Sequence, residues 1–418
     1  MPRPVIKAGK FIAALAVVVA ASAAASAAAR AVLGGGPSST PATLPPADPA
    51  PITPAASAHT AGDARLLPLH EFEETLRRQT DFRALPTGDA VTGPDPYVVR
   101  ALPAAAAVPG APGAQRLVSI LRGAALVVLL DADLHVTSRA ATPRAPTGLA
   151  VADNGDIFVS SELTPVIARY RVTPAGLQPT GTLTLPAGAG VRALRDLVAG
   201  SGAGILYAAD EIGGRLLTLR LSPKDPAPTL GLTATPAAIA VGHGPFRLAR
   251  VANLLLVDCL LDHTVVAFRI GKDGAPAQEL ARVRHDGPLW SFDAVAPDDD
   301  HLLLLVGGVE DHPLDRTGGS FGYIDSFLTV YRLDTRAPAP PVRLSLTNLS
   351  ALGVVTPKVV SARLDPDGSL HAAVTGYATS PLLLLTFPKD FHAQPGVVTQ
   401  DLVPGTTSMV ARADGTLV

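Results

Sequence analysis

The chain has 418 residues, of which 38 are glycine, 40 are proline and one is cysteine. Because 36 acidic residues nearly balance 34 basic ones, the net charge of -2 gives no field that would attract nucleic acid. A single cysteine excludes an internal disulfide framework, a zinc ribbon and a Cys-x-x-Cys redox pair, while a hydrophobic content of 47% is ample for a large core.

The first 29 residues have the pattern of a secretory signal peptide. Arg3, Lys7 and Lys10 form a basic start, residues 11–29 carry no charge, and the step Ala25-Ser26-Ala27 fits a cleavage site. The same 19 uncharged residues could instead form an uncleaved anchor, which would be the chain's contact with a membrane. Both interpretations predict an exported protein, periplasmic or extracellular.

Two further segments precede the predicted folded domain. Residues 30–63 are mostly Gly, Pro, Ala, Ser and Thr, a composition that buries too little apolar surface to offset ordering, so we predict a disordered linker. Residues 64–94 are predicted to form a connector with one short amphipathic helix, because Leu69, Phe72 and Leu76 share a helical face.

From residue 95 to residue 418 one unit recurs: an apolar strand, a tight turn rich in Asp, Asn or Gly, and a second apolar strand. Alternation with a period of two and β-branched residues predict strands. Copies begin at Leu117, Leu149, Leu197, Leu248, Phe292, Ala362 and Met409. Seven antiparallel repeats of this kind predict an all-β, seven-bladed β-propeller, in which each blade covers its neighbours' faces.

Two of these stretches resemble a known family: PTGLAVADNGDIFVSS from Pro146 and RLDPDGSLHAAV from Arg363. On them, residues 95–418 resemble the YVTN/NHL-type seven-bladed β-propellers, a likeness of fold that transfers no active site. The sequence ends inside the second strand of the seventh copy. Either Pro96–Leu102 completes that last sheet, or the natural chain continues past Val418.

Acidic residues recur where the second strand of a unit ends. Glu162, Asp210 and Asp258 follow one another at intervals of 48 residues, and Glu310 comes 52 residues later. Equivalent positions in successive blades would lie on one face of the disc, where a ring of carboxylates could bind Ca²⁺. We therefore predict Glu162, Asp210 and Asp258 as metal ligands. The alternative is that such acids form strand-end turns and face solvent.

The connection from Gly307 to Ser326 is twenty residues long, whereas the matching connection in the preceding unit has about six. Loops of that length in compact domains are usually functional or disordered, and the mixture of charged, imidazole and aromatic side chains here favours a function. The residues predicted to bind a ligand or partner are Glu310, Asp311, His312, Asp315, Arg316, Tyr323 and Asp325. The alternative is a surface loop whose charges pair with one another.

No catalytic residue is predicted. Residues 318–322 match the Gly-x-Ser-x-Gly nucleophile elbow, but no apolar strand precedes them and a strand, not a helix, is predicted to follow. Cys259 lies among apolar residues and is predicted to be a buried small hydrophobe. The sequence given contains no haem-attachment motif.

These observations predict an exported β-propeller that serves as a binding or scaffold module, with a protein partner or a small ligand on one propeller face. The family resemblance implies a role beside a c-type cytochrome or another redox partner of the cell envelope. The alternative function, also implied by resemblance, is a Ca²⁺-dependent lactonase-like hydrolase that uses the carboxylate ring at the propeller mouth.

Overall fold

The structure is a computed structural model, and the residues it describes lie in a compact unit, Pro68–Val418. They are residues 96–103, 115–185, 187–201, 204–221, 237–285, 289–312, 323–376, 380–400, 408–410 and 418. The signal, linker and connector predicted for residues 1–94 lie outside this described part. Within it, no helix has the length and apolar character needed to cross a bilayer.

The described residues form six four-stranded antiparallel sheets, numbered here as blades 1 to 6 in chain order. Blade 1 contains β1 (Pro96–Ala101), β2 (Leu117–Leu121), β3 (Leu126–Leu130) and β4 (Val136–Ala141). Blade 2 contains β5 (Pro146–Val151), β6 (Ile157–Ser161), β7 (Val166–Thr173) and β8 (Gly176–Thr184). Blade 3 contains β9 (Leu197–Ala199), β10 (Ile205–Asp210), β11 (Arg215–Arg220) and β12 (Ala237–Ala240).

The second half of the chain repeats this arrangement. Blade 4 contains β13 (Pro245–Val251), β14 (Leu254–Cys259), β15 (Thr264–Ile270) and β16 (Pro276–Arg284). Blade 5 contains β17 (Leu289–Val295), β18 (His301–His312), β19 (Tyr323–Asp334) and β20 (Val342–Asn348). Blade 6 contains β21 (Pro357–Leu364), β22 (Leu370–Gly376), β23 (Leu382–Phe387) and β24 (Gly396–Gln400). Two 3₁₀ helices, Ala187–Ala189 and Ser350–Leu352, complete the elements of the described part of the chain.

The first strands of the blades contact one another in chain order, from β1 through β5, β9, β13 and β17 to β21. Each sheet then runs outward through its second, third and fourth strands. This arrangement of sheets around a centre is that of a β-propeller and confirms the all-β prediction.

The alternation of each strand explains why the sheets stack in this way. In β10, Leu206 and Ala208 pack with residues of blade 2, whereas the intervening Tyr207 and Ala209 pack with residues of blade 4. Successive side chains on a strand point to opposite faces of the sheet, so one strand contributes to two cores. Apolar clusters of this kind join every consecutive pair of blades from 1 to 6.

One close approach between blades depends on a glycine. A Cβ atom added to Gly148 on β5 would lie 2.3 Å from Ser160 Oγ and 2.9 Å from the backbone nitrogen of Leu197. Gly148 therefore allows the innermost strands of blades 2 and 3 to lie against each other.

The two ends of the predicted repeat differ from expectation. The first copy, from Leu117, supplies the second and third strands of blade 1, because its first strand is Pro96–Ala101. Among the described residues this segment pairs with β2, so the strand pairing that they show for it lies in blade 1 and not in the last copy. In that last copy Val410 and Val418 exchange two backbone hydrogen bonds, 2.8 and 3.0 Å long, and both pack against the apolar cluster of blade 1.

Candidate functional site

The innermost strands of all six blades enclose a cavity of about 290 Å³ at the centre of the ring. Its wall carries more positive than negative groups: Arg100, Arg195, Arg247 and Arg250 against Asp196 and Asp293. Aromatic rings of Tyr97, Phe246 and Phe292 line the same space, and Ser408 and Met409 from the C-terminal segment also reach it. We call this space the central cavity.

Two acids of the central cavity fasten neighbouring blades. Asp196 accepts a hydrogen bond from its own neighbour Leu197 N (2.9 Å) and another from Leu248 N of blade 4 (2.9 Å). Asp293 of blade 5 has the same arrangement. It accepts a hydrogen bond from Ala294 N (2.8 Å) and another from Ala362 N of blade 6 (2.7 Å). In each acid both carboxylate oxygens are therefore used by backbone donors.

Burial opposes ionisation of these two acids. It raises the pKa of Asp196, although Arg100 and the two backbone donors act in the opposite direction. It also raises the pKa of Asp293 to about 6, again against its backbone donors and Arg100. Desolvation disfavours a buried carboxylate, and here it outweighs the favourable neighbours.

The two arginines beside them have no comparable partner. Arg100 Nη1 donates to the carbonyl of Val99 at 3.0 Å. Among the described residues, no carboxylate oxygen lies within 4.0 Å of the guanidinium nitrogens of Arg100 or Arg247. Burial lowers the pKa of Arg100, and the positive charge of Arg247 acts in the same direction, whereas Asp196 and Asp293 act against this change. Arg100 and Arg247 thus share one cavity without a direct ion pair in the described residues, and the charges of Asp196, Asp258 and Asp293 act on them from more than 4.0 Å away.

A third arginine organises one side of the cavity wall. Arg195 Nη2 donates to the hydroxyl of Tyr97 at 2.7 Å, and its guanidinium lies 4.2 Å from the ring centroid of Phe246. Its Nη1 pairs with Glu162, which also pairs with Arg122 of blade 1. This network links blades 1, 2, 3 and 4 and fixes Arg195 by an ion pair and a cation–π contact.

The predicted metal ligands have other roles in the structure. The side chain of Glu162 is 17% exposed and lies between Arg122 and Arg195. Asp210 is buried and pairs through Oδ2 with Arg215 Nε at 2.8 Å and Nη2 at 2.5 Å. Its Oδ1 accepts from Gly213 N at 3.0 Å, which is the strand-end turn chemistry given as the alternative.

Asp258 is buried and neither of its carboxylate oxygens has a hydrogen-bond partner. Burial raises its pKa well above the ordinary value, while the charge of Arg247, directly opposite on β13, acts against this rise. A buried carboxyl group in these surroundings favours the neutral, protonated form.

Equal spacing along the chain does not give equal positions in the sheets. Leu149, Leu197 and Leu248 pair with residues 10, 11 and 9 positions further on, so the first turn differs in length from blade to blade. Asp210 shares the strand face of Leu206 and Ala208, toward blade 2, whereas Asp258 shares that of Leu254 and Leu256, toward blade 5. A slip of one residue reverses the face of a strand.

Within the described residues, one group of three acidic or histidine side chains places its donor atoms within 4.8 Å of one another: Asp131, Asp133 and His135. Glu162, Asp210 and Asp258 do not form such a group. Their role as Ca²⁺ ligands remains a prediction.

The predicted twenty-residue loop is largely a hairpin. Strands β18 and β19 continue to His312 and Tyr323, with Glu310 opposite Asp325 and Asp311 opposite Ile324. The loop expectation was therefore wrong for these positions, because strand pairing extends beyond the glycine pair at 307–308. Asp315 and Arg316 lie outside the described residues. A recognition role for Glu310, Asp311, His312, Asp315, Arg316, Tyr323 and Asp325 remains a prediction.

Cys259 is buried, as predicted, and burial raises the pKa of its thiol to about 12. The sequence analysis missed the charged residues of the central cavity. A signal was available: Asp196, Arg247 and Asp293 each directly precede an apolar residue of an innermost strand. Aligning the repeats on that strand would have placed three charges at one position.

Comparison with known proteins gives information about the fold. No family model matches the sequence, and no curated protein matches it. A solved structure of a proposed 6-phosphogluconolactonase from Bacteroides fragilis is similar with a TM-score of 0.53 and 15% identity, covering 76% of this chain and 87% of that one. A second, from Bacteroides uniformis, gives a TM-score of 0.50 and 13% identity over 77% and 88%. The fold is a β-propeller. At these identities the likeness concerns the fold alone.

Proposed function

We propose that this protein is a binding module whose small ligand occupies the central cavity. The observation that carries the proposal is the cavity itself, about 290 Å³ in volume and lined by three aromatic rings and six charged side chains. Binding sites typically combine apolar walls with a few polar groups in a largely pre-formed cavity. The ring of innermost strands supplies a rigid frame for such a site.

A bulky residue in the cavity wall tests this function. In Ser361→Phe, on the innermost strand of blade 6, the new ring would fill part of the central cavity. The control is Thr182→Phe, an exposed position on the fourth strand of blade 2. A thermal-shift screen of small metabolites should find compounds that stabilise the wild type and Thr182→Phe while leaving Ser361→Phe unchanged. Equal stabilisation of both variants would move the binding site away from the cavity.

The alternative function is a Ca²⁺-dependent lactonase-like hydrolase. We place it second because Glu162 and Asp210 are both engaged with arginines, whereas Ca²⁺ requires several free oxygen ligands. An assay of acid release from a sugar lactone, run once with Ca²⁺ and once with a chelator, distinguishes the hydrolase from the binding module. Calcium-dependent turnover would establish the hydrolase in place of the binding module.

Three further features belong to the proposal. Residues 1–29 would direct export to the periplasm or the outside of the cell, which N-terminal sequencing of the mature protein tests. The C-terminal residues that pack against blade 1 would belong to a seventh blade beside the six described sheets. A protein partner, including a redox protein of the envelope, would bind on a propeller face.

A further inference from the structure

We propose that the ligand of the central cavity is a small organic oxyanion, a carboxylate or a phosphate, held by Arg100 and Arg247. This inference rests on the proposed function, since it assigns a chemical class to the ligand of the same cavity.

The acids of the cavity are not available to a cationic ligand. Both oxygens of Asp196 and both oxygens of Asp293 accept backbone N–H groups, and in each acid one of the two hydrogen bonds joins neighbouring blades. A cation would have to compete with these hydrogen bonds. Leaving a buried backbone N–H without an acceptor is costly, so the two acids are expected to keep their hydrogen bonds to the strands and not to bind a ligand.

In the described part of the chain, Arg100 and Arg247 lack the full set of hydrogen-bond partners that the two acids have. Each guanidinium carries five donors, and Arg100 donates one of them to the carbonyl oxygen of Val99. The two positive charges are close enough to influence each other, and no carboxylate of the described residues lies within 4.0 Å of either. A desolvated guanidinium group without a direct ion pair is costly, and an oxyanion between the two guanidinium groups would supply both charge and acceptors.

The remaining wall defines the rest of the ligand. Phe246 and Phe292 offer flat apolar surface, and the hydroxyl groups of Ser361 and Ser408 border the same space. A cavity of about 290 Å³ is at the small end of ligand sites, so the molecule would be compact. An anionic head with a small apolar body matches the arginines on one part of the wall and the rings on another.

Three probes test the assignment at constant ionic strength: benzoate, inorganic phosphate and benzamide. Benzamide has nearly the shape of benzoate but no charge, so it serves as the matched control. We expect benzoate or phosphate to raise the melting temperature of the wild type and benzamide to leave it unchanged. Stabilisation by benzoate alone identifies a carboxylate ligand, and stabilisation by phosphate alone identifies a phosphate ligand.

The variants Arg100→Gln and Arg247→Gln should each weaken anion binding at least tenfold in titration calorimetry. Arg343→Gln, at an exposed position on the fourth strand of blade 5, is the control and should bind as the wild type does. Without ligand, Arg100→Gln should unfold at no lower urea concentration than the wild type, because it removes a desolvated charge. If Arg100→Gln does not fold, Arg100→Lys keeps the charge and should retain part of the binding.

The outcomes separate the two proposals. Stabilisation by benzamide equal to that by benzoate, or anion binding that survives both arginine substitutions, overturns the oxyanion assignment and leaves a ligand cavity in place. Failure of every compound in the metabolite screen, charged or neutral, overturns the proposed function and the oxyanion assignment together.

Discussion

Replacement of Asp293 by Asn tests the electrostatics of the central cavity. Burial raises the pKa of Asp293 from 3.8 to about 6, so the folded protein retains this proton at a pH where the unfolded chain has lost it. The wild type therefore loses stability as the pH rises from about 3.8 to about 6. Asp293→Asn carries no titrating proton and escapes this loss.

The size of the effect follows from the shift. A rise in the pKa of Asp293 from 3.8 to about 6 corresponds to about 3 kcal/mol of unfolding free energy. Of this, the wild type loses about 2.5 kcal/mol between pH 4 and pH 8. At pH 4 the variant should be less stable than the wild type, because the amide nitrogen of Asn cannot accept the second of the two backbone N–H groups that Asp293 accepts. By pH 8 the unfolding free energy of Asp293→Asn relative to the wild type should have increased by about 2.5 kcal/mol.

Urea unfolding followed by circular dichroism at several pH values measures this difference, in which the other titrating groups largely cancel. Asp298→Asn is the matched control, because a hydrogen bond with His301 lowers the pKa of Asp298 and gives the opposite slope with pH. If Asp293→Asn instead loses stability relative to the wild type as the pH rises, the two backbone donors and Arg100 outweigh burial, and the reasoning is refuted.

Two further predictions concern single positions. Asp258→Asn should raise the melting temperature relative to the wild type more at pH 8 than at pH 5, because it removes a buried carboxyl group without hydrogen-bond partners; a lower melting temperature together with lost calcium in metal analysis would indicate a metal ligand instead. Gly148→Ala should reduce the unfolding free energy by about 1–3 kcal/mol, because its Cβ would lie 2.3 Å from Ser160 Oγ. Gly188→Ala, whose Cβ would have no neighbour within 4 Å, should be close to neutral in the same urea experiment.

The sequence was sufficient for the local part of the fold. The sequence pattern identifies strands because successive side chains point to opposite faces of a blade. Leu206 and Ala208 pack on one face and Tyr207 packs on the other. The first strand of blade 1 was harder, since residues 102–116 separate Pro96–Ala101 from its partner β2. The charged residues at the end of β18 favoured the prediction of a loop, although the strand continues through them.

The positions of the site residues depend on contacts between blades, which cannot be predicted from the spacing of residues along the chain. Asp196 and Leu248 are far apart in sequence and meet because the ring places innermost strands side by side. Asp210 lies two positions past the residue that pairs with Leu197, whereas Asp258 lies one position past the residue that pairs with Leu248, so these two acids, 48 residues apart, point to opposite faces of their sheets. Burial, which decides the ionisation of Asp258 and Asp293, also follows from the assembled ring.

The outermost strand of blade 6 has a consequence for handling the protein. Other fourth strands carry features that hinder pairing with another chain: charge at Arg139, Glu279 and Arg343, a proline at position 179, or, in β12, a length of four residues. Strand β24 is exposed throughout and uncharged, and Val397 and Val398 are 38% and 58% accessible to water. Concentrated solutions should therefore self-associate first through this edge, and Val398→Lys should interrupt such strand addition.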